Sequence, residues 1–416
     1  MTVAGRRARG ALLVALAIGV ALVAVPARAG GVAAATAPAV GVTRTTVTVG
    51  GILSGNGAAV GADIGAQARL ARANAHGGVA GRTIRYSGTA VDGGDPARDT
   101  AAVQQQSGSV FAVVPAVSSV LDASGLARAR VPFFGAASTP GWEANRFGFG
   151  FVGAQAVLQT RVVSPAWGLQ LRSLLGVAQG SLAALAVDND AQGAALGDQA
   201  RQSLRAAGFR TSTAVTLPAP PAALPDLAPV ASTLATGAPA VVLLLTSPAT
   251  VAGLARQLTL LGFTGTVATG DDAYQPTAPG FADGLTVLVP YAPFEQPTTA
   301  NRRLAADVES FAHGTALTPG IAAGYWSADA FLAVLAKVGK HLTRDRFLAV
   351  ANDNFSYAVS GTVGRSTWPP MHSQSVPCGA LVQSDGSRYL VVEPYRCGES
   401  LVRRGRARSK APSAGS

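Results

Sequence analysis

A strand, a glycine-rich loop, a helix and a second strand follow one another in residues 47–96, and this unit constrains the fold most. The first strand is rich in β-branched residues and ends at the loop 54–57, of sequence Ser-Gly-Asn-Gly. Apolar residues at helical spacing begin near Asp63, and glycines at 77–78 end the helix, since glycine adopts a left-handed conformation without steric cost. A second strand follows at 83–91. Such a unit places two parallel strands side by side, with the loop at their carboxyl edge.

The motifs of this unit resemble the opening of the type I periplasmic, or extracellular, solute-binding proteins. They are Ser54-Gly55, the segment 77–81 (Gly-Gly-Val-Ala-Gly), and Asp92 followed by Asp95-Pro96. The resemblance is to the branch that includes the leucine/isoleucine/valine-binding receptors of ABC importers, and it continues in register over 47–392. It implies an α/β fold of two doubly wound parallel-sheet lobes, joined by three crossings, with a ligand cleft between them. It also implies a protein that is not an enzyme and has no cofactor.

The same loop has a second interpretation, as a dinucleotide-binding glycine loop. Gly55, Gly57 and Gly61 follow a strand, and Asp92 stands near the end of the next strand, where an acid would bind a ribose. The chain has 49 glycines, so this spacing alone is a weak signal.

The second half of the chain repeats the alternation of strands and helices, which predicts a second lobe. The resemblance assigns 44–152 and 290–357 to the first lobe, and 153–289 and 358–400 to the second. Crossings between the lobes are expected at 147–152, 285–289 and 355–359. The pattern also predicts a helix over 155–175, interrupted by Pro165, and a proline-rich surface loop over 218–229.

The N-terminus has the pattern of a secretory signal. Arginines in the first nine residues precede an apolar run over 11–25, and Ala27-Arg28-Ala29 fits a cleavage site. We therefore predict a signal peptide over 1–29, a flexible leader over 30–43, and a secreted protein on the extracellular, cell-wall or periplasmic side of the membrane. A membrane anchor is the alternative interpretation of the apolar run.

The basic charge of the chain is concentrated at its two ends. The formal charge is +11, and removal of the four arginines of the signal leaves +7. The tail 401–416, expected to be disordered, carries five more positive residues and no acid. The body therefore has a charge of about +2. A body so nearly neutral does not indicate nucleic-acid binding.

Three strands of the first lobe end in loops that carry hydroxyl groups. These are Ser54, Ser118 with Ser119, and Ser138 with Thr139. Since ligands bind at the carboxyl ends of parallel strands, the three loops together predict a site for a polar or anionic ligand group. Each hydroxyl taken singly is equally consistent with helix capping.

The resemblance implies roles for several residues of the cleft. A ligand carboxylate would be held by Ser118 or Ser119 and by Ala136, Ala137 and Ser138. A ligand ammonium would be held by Asp272, with Asp271 as its neighbour; the alternative is that these acids cap a helix. Gln192 and Val60 stand near positions that are often aromatic in the family, which argues against leucine-like ligands. Tyr325 is assigned either to the cleft wall or to the core.

Cys378 and Cys397, the only cysteines, flank a predicted hairpin that turns near 384–386. In an exported protein an even number of cysteines favours a disulfide. Metal binding lacks ligands, since the four histidines are scattered without ligand spacing, and no hydrolase or phosphate-loop motif is present.

Together these features predict a monomeric extracellular solute-binding protein that captures a small polar ligand by hinge closure. The ligand would be an amino acid, or a related amide or organic acid, delivered to an ABC permease. Two alternatives remain: an exported sensor domain without a transporter, and an exported enzyme with an unfamiliar site.

Overall fold

The computed structural model describes residues 40–158, 162–219, 223, 225–276 and 283–402. The predicted signal peptide, the leader up to residue 39 and the basic tail from residue 403 lie outside the described residues. The chain from Pro38 onward clusters as one compact unit.

Five parallel strands form the first sheet, in the order β2-β1-β3-β4-β5. Its elements are β1 (Thr46–Leu53), α1 (Ala62–Ala75), β2 (Thr83–Val91), α2 (Pro96–Ser107), β3 (Ala112–Val117), α3 (Ala123–Arg128), β4 (Phe133–Gly135) and β5 (Gly148–Gly150). The unit 47–96 is confirmed, with Thr46 opposite Thr83 in parallel register. Asp95 caps α2 by accepting hydrogen bonds from the N–H groups of Ala97 and Arg98.

The next part of the chain builds a second lobe. Its elements are β6 (Val162–Val163), α4 (Ala166–Leu175), β7 (Leu182–Asp188), α5 (Ala191–Ala206), β8 (Arg210–Thr211), β9 (Val215–Leu217), α6 (Leu227–Ala235), β10 (Val241–Leu245), α7 (Pro248–Leu260), β11 (Thr266–Thr269) and β12 (Thr286–Val289). Strands β7, β10, β11 and β12 are mutually parallel neighbours. Their carboxyl ends therefore lie along one edge.

The last part of the chain returns to the first lobe and then completes the second. Its elements are α8 (Thr299–Phe311), α9 (Pro319–Val338), α10 (Arg344–Ala351), β13 (Ser356–Val359), β14 (Val363–Thr367), β15 (Cys378–Ser384), β16 (Tyr389–Cys397) and β17 (Leu401–Val402). The second sheet runs β16-β15-β12-β11-β10-β7-β8, with β9 also beside β7 and with β15 and β16 antiparallel. The chain thus passes between the sheets after β5, after β12 and between β14 and β15, and the two predicted α/β lobes are confirmed.

Helix α9 packs against α1 so closely that glycine is required at the contact. A Cβ atom on Gly65 would lie 2.0 Å from the carbonyl oxygen of Ile321, and one on Gly324 would lie 1.8 Å from that of Ala62. Arg69 of α1 also binds Asp329 of α9, with 2.6 Å between Nε and Oδ1. Helix α9 has the length and hydropathy of a membrane span, but 78% of its most apolar window is buried inside the protein. It is therefore a core helix of the first lobe.

Five local predictions are wrong. Residues 155–158 are not helical, and α4 begins only at Ala166, after Pro165, because proline lacks the N–H that a helix interior needs. Segments 147–152 and 285–289 contain β5 of the first sheet and β12 of the second, so each crossing comes after its strand. Segment 355–359 contains β13, which forms a hairpin with β14 rather than a simple crossing. The predicted loop 218–229 overlaps the start of α6, which Asp226 caps.

The predicted hairpin and its disulfide are confirmed. Strands β15 and β16 pair in antiparallel register, with Cys378 directly opposite Cys397, and a disulfide joins the two residues. The turn between the strands contains Asp385, whose carboxylate accepts hydrogen bonds from the N–H groups of Ser387 and Arg388, and Gly386 with a φ of 82°. The hairpin forms an edge of the second sheet, so the cross-link constrains that edge.

Reduction of this disulfide should lower the free energy of unfolding by about 3 kcal/mol, because the bond closes a loop of roughly 20 residues in the unfolded chain. Urea unfolding with and without a reductant measures the loss. The Cys378→Ala/Cys397→Ala double variant is the control, since reductant should leave its unfolding midpoint unchanged. Two free thiols in the denatured, unreduced protein would contradict the cross-link.

Candidate functional site

The loops after β1 and β3 are joined by hydrogen bonds at the carboxyl edge of the first sheet. The Ser54 and Ser119 hydroxyl oxygens lie 3.2 Å apart, and the N–H of Ser119 donates to Ser54 Oγ at 3.0 Å. Ser118 Oγ accepts from the N–H of Val120 at 3.1 Å. The structure therefore brings the predicted serines together, and it also gives each a local structural partner.

The loop after β4 adds the next part of this edge. The side chain of Gln155 donates to the carbonyl oxygen of Ala136 at 2.9 Å, and the Gln155 N–H donates to that of Ala137. Ala137 has a φ of 53°, a left-handed conformation that is strained for a residue with a Cβ atom. Ser138 is half-buried, and Thr139 is 6% exposed with a hydroxyl that has no hydrogen-bond partner.

This edge has hydroxyl protons left to donate. A hydroxyl that accepts from a backbone N–H, as in Ser118, still has its own proton. The Ser54–Ser119 pair shares one proton between its two oxygens and has a second proton to offer. With the unpartnered hydroxyl of Thr139, the edge is suited to an acceptor group such as a carboxylate.

Asp271 and Asp272 lie at the carboxyl end of β11. Their carboxylates are hydrogen-bond acceptors, whereas the first edge offers hydroxyl donors. The two residues form a 3₁₀ turn directly after Gly270. Asp271 is half-buried; the side chain of Asp272 is open to solvent, yet enough protein surrounds the pair that desolvation raises the pKa of both carboxyls. The charge of Asp272 raises the pKa of Asp271 further. A cationic ligand group would offset both effects.

Two more carboxyls stand at the end of β7, beyond the intervening strand β10. Asp188 is the last residue of β7, and desolvation, followed by the charges of Asp190 and Asp272, raises its pKa to about 6. Asp190 caps α5 by accepting from the N–H of Gly193 at 2.6 Å. Gln192 lies near this edge, in the first turn of α5, and is half-buried.

The two edges touch. The side-chain amide of Gln275, after β11, donates to the carbonyl oxygen of Gly57, after β1, at 3.3 Å, and also to that of Asp272 at 3.3 Å. Val60, which stands beside Gly57 in the first lobe, is 44% exposed. The hydroxyl-bearing edge and the acidic edge therefore meet between the two lobes.

Tyr325 lies elsewhere, in the packing of the helices of the first lobe. It is fully buried in α9, and its hydroxyl donates to Asp307 of α8 at 2.5 Å. Asp307 in turn binds Arg72 of α1, with 3.2 Å between Nη1 and Oδ2. This position supports the core interpretation and corrects the assignment of Tyr325 to the ligand.

Sequence reasoning missed three groups at the acidic edge. Asp188 is the last residue of β7, Thr246 directly follows β10, and Tyr291 follows β12. The hydroxyls of Thr246 and Tyr291 and one carboxylate oxygen of Asp188 are buried without a hydrogen-bond partner. The sequence signal that could identify them is the one that marks the first-lobe loops, a polar residue at or just after the end of a strand.

A separate cavity lies beside the crossings. Val152, Pro290 and Val376, one from each crossing, line it together with Trp167 of α4 and Cys378. No described residue of its lining is charged. The described residues also contain no group of three His, Cys, Asp or Glu side chains that could hold a metal ion.

Behind the first edge lies a buried pair of acids. Asp92 follows β2 and Asp99 lies in α2; both are fully buried, and one carboxylate oxygen of each has no hydrogen-bond partner. The second oxygen of Asp99 accepts from the N–H of Asp122 at 2.6 Å. Desolvation, with smaller contributions from the neighbouring acids, raises the pKa of Asp99 to about 6. The folded state therefore keeps a proton on Asp99 up to a higher pH than the unfolded chain does.

Asp99→Asn should remove a pH dependence of stability. The folded-state pKa is raised, so the stabilisation is complete below the unfolded pKa of about 3.9 and is lost as pH rises through about 6. Wild type should lose up to ~3 kcal/mol from this group between pH 4 and pH 8. The variant should lose none of it, since its amide keeps the acceptor for Asp122. Urea unfolding at several pH values measures the difference between the two proteins.

Asp345→Asn is the matched control for this experiment. It makes the same change in an exposed ion pair with Arg130, and should leave the pH profile of wild type intact. Parallel profiles for wild type and Asp99→Asn would show that the pKa of Asp99 is not raised in the folded state.

The chain was compared with known proteins. The model of a family described as periplasmic binding protein matches residues 46–388. A search of curated protein sequences found no match. Among solved structures, a fatty acid ABC transporter substrate-binding protein from Thermomonospora curvata is 17% identical, with a TM-score of 0.71; the match covers 87% of this chain and 95% of that one.

Two further structures are similar in fold. A possible leucine/isoleucine/valine-binding protein from Rhodopirellula baltica is 15% identical, with a TM-score of 0.68 and coverage of 84% of this chain and 96% of that one. The branched-chain amino acid transporter substrate-binding protein LivJ from Streptococcus pneumoniae, in complex with isoleucine, is 13% identical, with a TM-score of 0.65 and coverage of 84% and 100%. The overall fold of the chain is thus that of these proteins.

Proposed function

Because this chain belongs to the periplasmic binding protein family, we propose that it is a solute-binding protein that captures a small polar ligand between its two lobes and delivers it to an ABC importer. The family and the similar structures consist of solute-binding proteins rather than enzymes. The site of action is the extracellular or periplasmic space, which agrees with a disulfide, since such bonds persist in oxidising compartments.

One observation carries the proposal: the two edges that meet at the Gln275–Gly57 contact have complementary chemistry. The first edge offers hydroxyl donors from Ser118 and Thr139, and the second offers the carboxyls of Asp271 and Asp272. A ligand with an acceptor at one end and a cation at the other would satisfy both. An amino acid has this arrangement.

The mechanism is closure of the two lobes about the crossings. A ligand that contacts both edges binds the closed form better than the open form, so it shifts the population to the closed form. Asp271 and Asp272 would hold the ligand ammonium, and Ser118, Ser119, Ser138 and Thr139 would surround its carboxylate. Ala136 and Ala137 would contribute the backbone of the same wall.

A thermal-shift screen of the ligand-stripped mature protein tests this function. Amino acids, amides, short organic acids and decanoate would be compared at equal concentration. An amino acid present at one hundred times its Kd should stabilise the protein by about 2.7 kcal/mol. If no amino acid, amide or short organic acid raises the melting temperature, the proposal is wrong.

An apolar ligand is the second candidate, and the uncharged cavity beside the crossings favours it. The similar protein from Thermomonospora curvata is a fatty acid transporter component. Stabilisation by decanoate alone would support this candidate. The genes next to the one that encodes this protein test whether the ligand is delivered to an importer. Adjacent permease and ATPase genes support import, whereas an adjacent kinase gene supports a sensor.

A further inference from the structure

Six acceptor groups line the carboxyl ends of four adjacent strands of the second lobe. The strands lie in the order β12-β11-β10-β7. In that order the groups are the hydroxyl of Tyr291, the carboxyls of Asp271 and Asp272, the hydroxyl of Thr246, and the carboxyls of Asp188 and Asp190. The row therefore has an acidic pair at β11 and another at β7, with a hydroxyl beside each.

No cation balances these carboxyls in the described part of the chain. None of the four acids forms an ion pair with any of the residues that the structure describes within 40–402. The half-buried acids of the first lobe differ in this respect, since Asp329 binds Arg69 and Asp307 binds Arg72. Unbalanced charge in a partly desolvated site is unfavourable unless a partner arrives from outside the chain.

The unpartnered hydroxyls are a separate indication that a ligand binds along this row. Tyr291 is 2% exposed and Thr246 is 8% exposed, yet neither hydroxyl has a hydrogen-bond partner. The charges of Asp271, Glu295 and Asp272 act on the Tyr291 hydroxyl, so this group lies near the first acidic pair. A buried hydroxyl without a partner is destabilising, and a ligand with several donors would satisfy it.

The facing edge of the first lobe supplies no charge of either sign. Its loop residues are 54–57 (Ser-Gly-Asn-Gly), 118–120 (Ser-Ser-Val) and 136–139 (Ala-Ala-Ser-Thr). The site as a whole is therefore acidic. A ligand with a single ammonium group would neutralise the pair at β11 and leave the pair at β7 unmatched.

We infer that the ligand carries two cationic groups: it is an α-amino acid with an ammonium or guanidinium side chain, held at one end by Asp271 and Asp272 and at the other by Asp188 and Asp190. Strands β11 and β7 are separated by β10 alone, so their ends lie about 10 Å apart. An extended side chain of lysine or arginine length bridges such a gap with a hydrogen bond at each end. This inference rests on the proposed function.

Pairs of ligands that have nearly the same shape and differ in side-chain charge test the inference of a second cationic group. Calorimetry on the ligand-stripped mature protein would compare arginine with citrulline and lysine with norleucine, because each pair differs in the side-chain charge at nearly constant length. The cationic member should bind at least about tenfold more tightly, as expected for a charge-assisted hydrogen bond. If citrulline and norleucine bind as tightly as their partners, the inference is wrong although the proposed function stands. If no amino acid binds, the proposed function fails as well.

A double variant locates the second cation. Asp188→Asn/Asp190→Asn should bring the ratio of the Kd values for citrulline and arginine close to one. Asparagine at position 190 can still cap α5. Asp226→Asn is the matched control: it makes the same change at the exposed cap of α6, and should preserve the wild-type ratio. A double variant that keeps the preference for arginine would overturn the assignment to this pair.

Discussion

Gly324→Ala should lower the free energy of unfolding by about 3 kcal/mol, at the upper end of the range for overpacked sites. The added Cβ would lie 1.8 Å from the carbonyl oxygen of Ala62 and 2.7 Å from its carbonyl carbon. Both atoms belong to the backbone of α1, so no side chain can rotate to relieve the overlap. Helices α1 and α9 must separate instead, and their separation opens gaps in a densely packed core. Urea unfolding followed by circular dichroism measures the loss.

The direction of this effect is informative, because helix propensity alone predicts the opposite. In an unobstructed helix, alanine is more favourable than glycine by about 1 kcal/mol. Gly108→Ala supplies the control, since it lies at the end of α2 in a helical conformation and its nearest contact for a Cβ is 4.0 Å away. That variant should be neutral or slightly stabilising. A Gly324→Ala protein as stable as wild type would show that the two helices do not touch through their backbones.

Asp272→Asn should weaken ligand binding at least thirtyfold. On the proposed function Asp272 holds a ligand cation, and loss of one partner of a buried, charged hydrogen bond costs on the order of 2–5 kcal/mol. The melting temperature of the ligand-free variant should not fall, since the side chain is exposed and desolvation already disfavours its charge. Calorimetry with the best ligand of the screen gives the affinity, and a thermal scan gives the stability.

Asp353→Asn provides the comparison, because Asp353 is an exposed acid after α10 and plays no part in the proposed site. It should bind as wild type does. Wild-type affinity in Asp272→Asn would remove the ammonium role from this residue. The ligand class would then shift to uncharged amides or organic acids, for which the hydroxyls of the first edge suffice.

The features that the sequence predicts well are those that depend on neighbouring residues. The strand ending at Leu53, the cap at Asp95 and the turn at Gly386 follow from local backbone preferences, and all three are present. Strand ends in a parallel sheet also meet at one edge by geometry alone, so Ser54 and Ser119 could be placed side by side although 65 residues separate them.

The features that the sequence predicts poorly depend on distant partners. Tyr325 lies in a helix that is buried on nearly all sides, and its spacing does not reveal that its hydroxyl meets Asp307 rather than a ligand. Segment 285–289 is an apolar run, and such a run is equally consistent with a crossing and with a strand of the sheet. Only the pairing of β12 with β11 and β15 decides between them. The acidic row likewise emerges only once β7, β10, β11 and β12 are known to be neighbours.

The dependence of the first lobe on α9 sets the order in which the chain can fold. Arg69 and Asp329 are separated by 260 residues, and the whole second lobe up to β12 is synthesised between them. Contacts of such high sequence separation form slowly, because a long loop must close before any of them is made. Until residue 338 has emerged, the face of α1 that α9 covers stays uncovered on the nascent chain. A chain of this design therefore stays without its complete first lobe through most of its synthesis, and any truncation before α9 should aggregate rather than yield a smaller binding domain.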